Sequence, residues 1–319
     1  MALGIASIVG FRMNWAYFWW VILALFGINL AWRVSRLPAE RRKRVATREV
    51  LILLLCYCGM MGMLMFLERR IIFVPTTSSE QWWEPTRLTH EDVWLNVAAD
   101  GQQYRCHAWW CPNSHATATV LYCHGNAGNL SGRSELLETW HLLGVNVLIF
   151  DYPGYGRSEG EPTEASCQAA ALAAYDWLTK EKAVRPEQLL LFGKSLGAAM
   201  AVELAVSHPC QALILYSPFT SVPDMAQKAL PFFPSRYLVR TQFDNESKLR
   251  RYQGPLLIGH GVADKLVPVE HSDRLLAACP SAHKTLRKYA DEDHGAPPPQ
   301  FYADVADFLR ELKLKSMPK

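Results

Sequence analysis

Gly193-Lys194-Ser195-Leu196-Gly197 lies between the apolar run from Gln188 to Phe192 and an Ala-rich stretch of helical composition. A serine on a tight strand-to-helix turn needs small residues two positions before and after it, because a Cβ there would collide with the neighbouring strand or helix. Gly193 and Gly197 meet that need. Such a turn lifts Ser195 Oγ above the sheet edge and aims the N-terminus of the next helix at it, where backbone N–H groups without a helical partner can hold an oxyanion. The chemistry this spacing implies is acyl transfer.

A serine hydroxyl is a poor nucleophile at neutral pH, so the site needs a base and a group to orient the base. The chain order for such a turn is Ser, then Asp or Glu, then His, each leaving the C-terminal end of a strand. Pro255 to His260 reads as a short buried strand running into Gly261-Val262-Ala263-Asp264, and Thr285 to Tyr289 as another followed by Asp291-Glu292-Asp293-His294-Gly295. His294 is therefore expected to take the Ser195 proton and return it to the leaving group, with Asp264 fixing the imidazole tautomer. Asp291, Glu292 and Asp293 crowd His294 in sequence and compete as orienters. The oxyanion is expected to meet the backbone N–H of Leu196 and a second donor from the loop His124-Gly125-Asn126-Ala127-Gly128-Asn129, with Asn126 first and Ala127 next. His124, at the end of a buried strand, reads as a hydrogen-bonded structural residue.

These residues require an alternating strand and helix scaffold. Val93 to Val97 and Tyr104 to Cys111 read as an antiparallel opening pair turned at Asp100-Gly101. Thr119 to Cys123, Val145 to Phe150, Gln188 to Phe192 and Ala212 to Tyr216 read as core strands, with helices over Ser131 to Leu143, Glu164 to Lys182, Ser195 to Ser207 and Gln300 to Leu314 between or after strands. That alternation predicts an α/β fold with a mostly parallel sheet covered on both faces. Pro218 to Tyr252 separates the sixth strand from the seventh and is expected to form a small cap. Phe219 and Phe232 there, with Tyr155 opposite, are candidates to line a substrate groove, against the competing fate of core packing.

The first 70 residues differ in character. Trp15 to Trp32 holds a single polar residue, Asn29, and Val50 to Leu67 holds no charge, so each is long enough to cross a bilayer. Between them, Arg33 to Arg48 carries seven basic residues and one acidic, a net +6 that leaves the rest of a +3 chain at −3. The expectation is a transmembrane hairpin over 1–70 with a cytoplasmic basic loop, a connector over 71–92, and an extracytoplasmic catalytic domain over 93–319 with its cap at 218–252. Nothing in this charge pattern calls for nucleic acid. No C-x-x-C or H-E-x-x-H spacing is present, so neither a metal nor another cofactor is expected. Of the eight cysteines, Cys106 and Cys111 are the pair that reads as able to form a disulfide.

With these residues in place, the chain from about Val93 to Leu314 resembles the α/β hydrolases, and more narrowly the membrane-anchored abhydrolase-domain serine hydrolases of the bud-emergence type. The resemblance rests on His124 to Asn129, Asp151 to Gly160, Gly193 to Gly197, Asp264 and Asp293-His294-Gly295 together. It implies an eight-stranded sheet, a triad of Ser195, Asp264 and His294, and hydrolysis of an ester or thioester in a small-molecule, lipid-like or acylated-protein substrate at a membrane. A serine peptidase on the same triad and a non-catalytic membrane scaffold stay open as alternatives.

Overall fold

Alternation along each strand sorts the apolar side chains onto two faces. In β2 (Gln102–Cys111), Cys106, Ala108 and Trp110 join one buried cluster, and Trp109 and Cys111 join the other. β3 (Ala118–Cys123), β4 (Val145–Phe150), β5 (Leu189–Lys194) and β6 (Ala212–Tyr216) divide the same way, for example Leu191 on one face and Phe192 on the other. Strands apolar on both faces must be covered on both. The computed structural model, which describes residues 27–29, 32, 35–77, 88–231 and 233–316, has helices on each.

β1 (Glu91–Ala99), β7 (Leu256–Gly261) and β8 (Lys284–Tyr289) complete one sheet of eight strands in the order β1-β2-β4-β3-β5-β6-β7-β8. β2 runs antiparallel to both β1 and β4, and β3 to β8 are parallel. Asp100 and Gly101, with φ of 53° and 73°, make the tight turn between β1 and β2, as a two-residue hairpin requires. The strand order reverses around β3, so the loops leaving β3 and β5 open onto the crevice where parallel α/β sheets place their sites.

The chain divides into two units at Glu68 and Arg69. The first holds all but the last turn of the helix α1 (Ala39–Ile72), which runs 34 residues, about 51 Å at 1.5 Å per residue. Its stretch Glu40–Ile72 is the one helix among the described residues long and apolar enough to cross a membrane. Leu55 and Phe66 are 63% and 86% exposed, so this apolar surface is not that of a soluble core helix. The basic residues Arg41, Arg42, Lys43, Arg44 and Arg48, expected in a loop, are helical. Lys and Arg are good helix formers, and no proline follows Pro38 to interrupt them. The first expected span, 15–32, lies almost wholly outside the described residues.

The second unit carries the sheet. α2 (Ser134–Leu142) and α9 (Pro299–Ser316) lie with the cluster of Trp140, Phe192 and Phe301, while α3 (Glu164–Asp176) and α4 (Leu196–Ser207) lie with the cluster of Leu121, Ala171 and Met200. α5 (Val222–Ala229), α6 (Ser235–Leu238) and α7 (Asn245–Leu249) fill the segment expected to be a cap, and α8 (Glu270–Ala278) follows β7. Cys106 and Cys111 are not a disulfide: all eight cysteines are free thiols. The two stand five residues apart on one strand, so they point to opposite faces about 17 Å apart along it. Burial pushes both thiols up to about 12.

Candidate active site

Ser195 sits between β5 and α4 with φ 51° and ψ −115°, a left-handed conformation that a non-glycine residue adopts at a cost of about 1–3 kcal/mol. Close packing holds it there. A Cβ on Gly197 would lie 1.9 Å from the carbonyl oxygen of Cys123, and one on Gly193 would lie 2.5 Å from that of Gly197. The Ser195 N–H donates to Tyr216 O at 3.0 Å, pinning the turn to the end of β6. Leu196, buried beside the serine, is the first residue of α4, so its N–H has no carbonyl four residues back to bond.

His294 Nε2 lies 2.9 Å from Ser195 Oγ, and its Nδ1 lies 2.7 Å from Asp264 Oδ2. A carboxylate at Nδ1 assigns the proton to that nitrogen and leaves Nε2 to accept from the serine hydroxyl. Asp264 is itself fixed: Oδ1 accepts from the N–H groups of Leu266 and Val267 at 2.9 and 2.8 Å. Burial alone would raise its carboxyl, but hydrogen bonds with His260 and His294 and the backbone of Val267 hold it well below the usual carboxylate range. The loops bearing Asp264 and His294 are stitched by Ala263 N donating to Glu292 O at 3.0 Å and Val262 N to Tyr289 O at 2.8 Å. Of the competing acids, Asp293 is engaged within its own loop, its Oδ1 accepting from Gly295 N at 2.7 Å.

In the loop after β3, a Cβ built on Gly125 would lie 3.6 Å from Lys194 O and 3.8 Å from Ser195 Cβ, so this loop packs against the serine turn, and Asn126 and Ala127 follow Gly125. The Asn126 side chain is committed elsewhere. Its Nδ2 donates to Ile72 O at 2.6 Å, and its Oδ1 accepts from Val74 N at 3.1 Å and Tyr155 Oη at 2.6 Å. Tyr155 is fully buried, so it reaches this loop through Asn126 and not as an open groove wall. Phe219 is buried in the core cluster, and Phe232 lies outside the described residues.

Three residues were not singled out from sequence. His260, fully buried, donates from Nε2 to Val267 O at 2.7 Å and accepts at Nδ1 from Ser272 Oγ at 2.6 Å, bracing the Asp264 loop. Asp151, also fully buried, accepts from Leu130 N at 2.8 Å and lies 3.2 Å from His124 Nε2. His124 Nδ1 donates to Gly125 O at 2.7 Å, so this buried ring is engaged within its own loop. Lys194, beside the serine, donates from Nζ to His294 O at 3.3 Å, and burial, followed by the repulsion of Arg133, pushes its amine down to about 8. Its place between two glycines in the turn was visible, but the direction of a long flexible side chain is not written in spacing.

Serine, imidazole and carboxylate so connected can activate the hydroxyl for attack on a carbonyl. The family model described as serine aminopeptidase, S33 matches residues 114–250. The chain is 37% identical over 222 residues to an uncharacterised protein of Mycobacterium tuberculosis, spanning 68% of this chain and 78% of that one. It is 31% identical over 240 residues to the alpha/beta hydrolase domain-containing protein WAV2 of Arabidopsis thaliana, spanning 68% and 77%. Among solved structures it is similar to an esterase of Pyrococcus furiosus, with a TM-score of 0.63 and 20% identity over 75% of this chain and 98% of that one. At that identity the likeness speaks to the fold.

Proposed function

Because this chain belongs to the α/β-hydrolase family, we propose that it is a membrane-anchored serine hydrolase that cleaves carboxylic ester or thioester bonds through an acyl-enzyme. The observation that carries the reading is the connected chain from Ser195 Oγ through His294 to Asp264, at 2.9 and 2.7 Å, on a turn that packing forces into shape. Ser195 Oγ attacks the carbonyl carbon while His294 Nε2 takes its proton. The oxyanion that forms is held by the N–H groups of Leu196 and Asn126. Collapse breaks the bond to the alcohol or thiol, which takes the proton from Nε2 as it leaves. Water then repeats the sequence on the acyl-serine, releasing the acid and restoring the serine. Asp264, kept ionised by its donors, steadies the imidazolium in both halves.

The exposed apolar flank of α1 supports anchoring in a membrane. The fuller topology in this reading is a two-span hairpin with the hydrolase unit outside the cytoplasm, supported by the net +6 between the spans. Substrates that partition to a membrane, lipid-like esters or acylated proteins, suit such an enzyme. A second reading, a serine peptidase, is favoured by the description of the matching family; it differs in the leaving group, an amine in place of an alcohol or thiol.

Labelling the detergent-solubilised protein with a fluorophosphonate tests the reading. Modification of wild type, and none of Ser195→Ala or His294→Ala, is the expected result. An unlabelled but folded wild type would refute it and leave the scaffold alternative. Side-by-side turnover of p-nitrophenyl esters and aminoacyl anilides separates esterase from peptidase.

A further inference from the structure

The chain leaving α1 is tied to the loop expected to hold the oxyanion. From Ile72 to Thr77 it makes a bond or bridge at nearly every residue with the loops after β3 and β4. Ile72 O and Val74 N are both bonded to the Asn126 side chain. Pro75 bridges Gly128 and Thr77 bridges Gly156, each in parallel sense. Thr76 O accepts from Asn129 Nδ2 at 3.1 Å and from Gly156 N at 3.0 Å. Phe73 is 2% exposed and meets the cap residue Phe243 edge-on at 6.2 Å between ring centres. This strap lies outside the span matched by the family model, residues 114–250.

The geometry points to a catalytic loop held from outside itself. Asn126 follows a glycine and precedes Ala127-Gly128, so its backbone has little local reason to keep one conformation. Its side chain supplies that reason by gripping the strap at two points, with the Tyr155 hydroxyl closing a third. We propose that the strap Ile72–Thr77 positions the oxyanion loop, with the Asn126 side chain and Tyr155 as positioning residues, so that turnover depends on the segment by which the chain leaves its anchor helix. This rests on the reading of Asn126 N–H as an oxyanion donor. A donor must stand about 2.7–3.1 Å from the developing oxyanion to stabilise it, and losing one costs about 10²–10³ in kcat. Loosening the loop blunts that donor without touching the nucleophile.

The test uses the full chain in detergent micelles and a short p-nitrophenyl ester, with turnover normalised to the sites that fluorophosphonate labels at completion. Tyr155→Phe removes one donor to Asn126 Oδ1 and is expected to lower kcat about 3- to 10-fold; Asn126→Ala removes the whole grip and is expected to lower it about 30- to 100-fold, as partial to near-complete loss of one donor. KM should stay within about twofold and end-point labelling near wild type, because the triad is untouched; the melting temperature should fall in Asn126→Ala, which strands Val74 N and Tyr155 Oη, so kcat per labelled site is the deciding readout. Asn126→Asp, which keeps the acceptor and loses the donor to Ile72 O, should fall between the two. A residue that merely supports the fold would lower melting temperature and the labelled fraction, and leave kcat per labelled site unchanged; that result overturns the proposal. Should Asn126→Ala fail to fold, Tyr155→Phe decides alone. A wild type that neither labels nor turns over removes the hydrolase reading and this inference together, whereas an active wild type with variants of equal kcat removes only this one.

Discussion

Asp264→Asn separates a structural acid from an orienting one. The carboxylate has two differently engaged oxygens: Oδ1 accepts from Leu266 and Val267 N–H at 2.9 and 2.8 Å, and Oδ2 faces His294 Nδ1 at 2.7 Å. An amide keeps only one acceptor oxygen. Turning that oxygen toward His294 would set its NH₂ against two backbone donors, each then unsatisfied at about 1–3 kcal/mol. The oxygen therefore stays on the backbone and the NH₂ faces Nδ1. Nδ1 must then accept, the imidazole proton moves to Nε2, and Nε2 can no longer take the proton of Ser195 2.9 Å away. The penalty for a wrong tautomer in such a triad is about 10⁴ in kcat, or about 5.4 kcal/mol; the figure is borrowed from the chymotrypsin-type triad. The assay is kcat for a p-nitrophenyl ester at pH 7, with circular dichroism to show the fold retained. A folded Asp264→Asn variant within tenfold of wild type would refute the assignment of Asp264 as the group that sets the tautomer.

Three further outcomes follow from the same geometry. Lys194 carries an amine pushed down to about 8 by burial and by Arg133, against the pull of Asp264 and Asp293. The folded chain then gives up this proton at lower pH than the unfolded one, which binds more protons across the interval from about 8 to the ordinary lysine value of about 10.4, so this group adds stability as pH rises through it. Buried thiols such as Cys106 and Cys111, pushed up to about 12, subtract stability over the same range, so urea midpoints measured from pH 7.5 to 10.5 should fall less steeply in wild type than in Lys194→Met, and equal slopes would contradict the lowered amine. Because Cys106 and Cys111 are buried on opposite faces of β2, dithiothreitol should leave both the melting temperature and the non-reducing gel mobility unchanged; a shift in either would contradict the strand register. Ser195→Ala should lose ester turnover and fluorophosphonate labelling at an unchanged melting temperature, and retained turnover would place the nucleophile elsewhere.

Different parts of this molecule were legible to different degrees, and the range of the interaction decides which. The serine turn was plain because its requirement is local: Gly193 and Gly197 flank Ser195 at the two positions where a Cβ meets backbone. The sheet was plain because apolar runs bounded by turns recur along the chain. The parity of Cys106 and Cys111, odd and therefore on opposite faces, was available from strand periodicity and outweighs their nearness in sequence. The helical state of Arg41 to Arg48 was also available from helix propensity, where charge alone pointed to a loop. By contrast, the commitment of the Asn126 side chain to Ile72 and Val74, more than fifty positions earlier, has no periodic trace. Tyr155 reads from sequence as an aromatic near a site; whether such a ring faces solvent or the core depends on neighbours that spacing does not reveal.

Three acids stand within three residues of His294 in sequence, yet the one that meets its ring is Asp264, thirty positions away. In a parallel sheet the ends of adjacent strands lie about 4.8 Å apart, so loops leaving β7 and β8 are neighbours in space however long the connection between them. Residues close along one short loop instead diverge, because consecutive side chains leave an extended or turning backbone in different directions. A Cβ on Gly261 would fall 2.2 Å from Glu292 O, which measures how tightly the two loops are pressed together. Chain order and strand ends therefore identify the partners in such a site better than proximity along the chain, and a strap such as Ile72–Thr77, which belongs to no strand order, is the kind of element that only the folded structure brings to light.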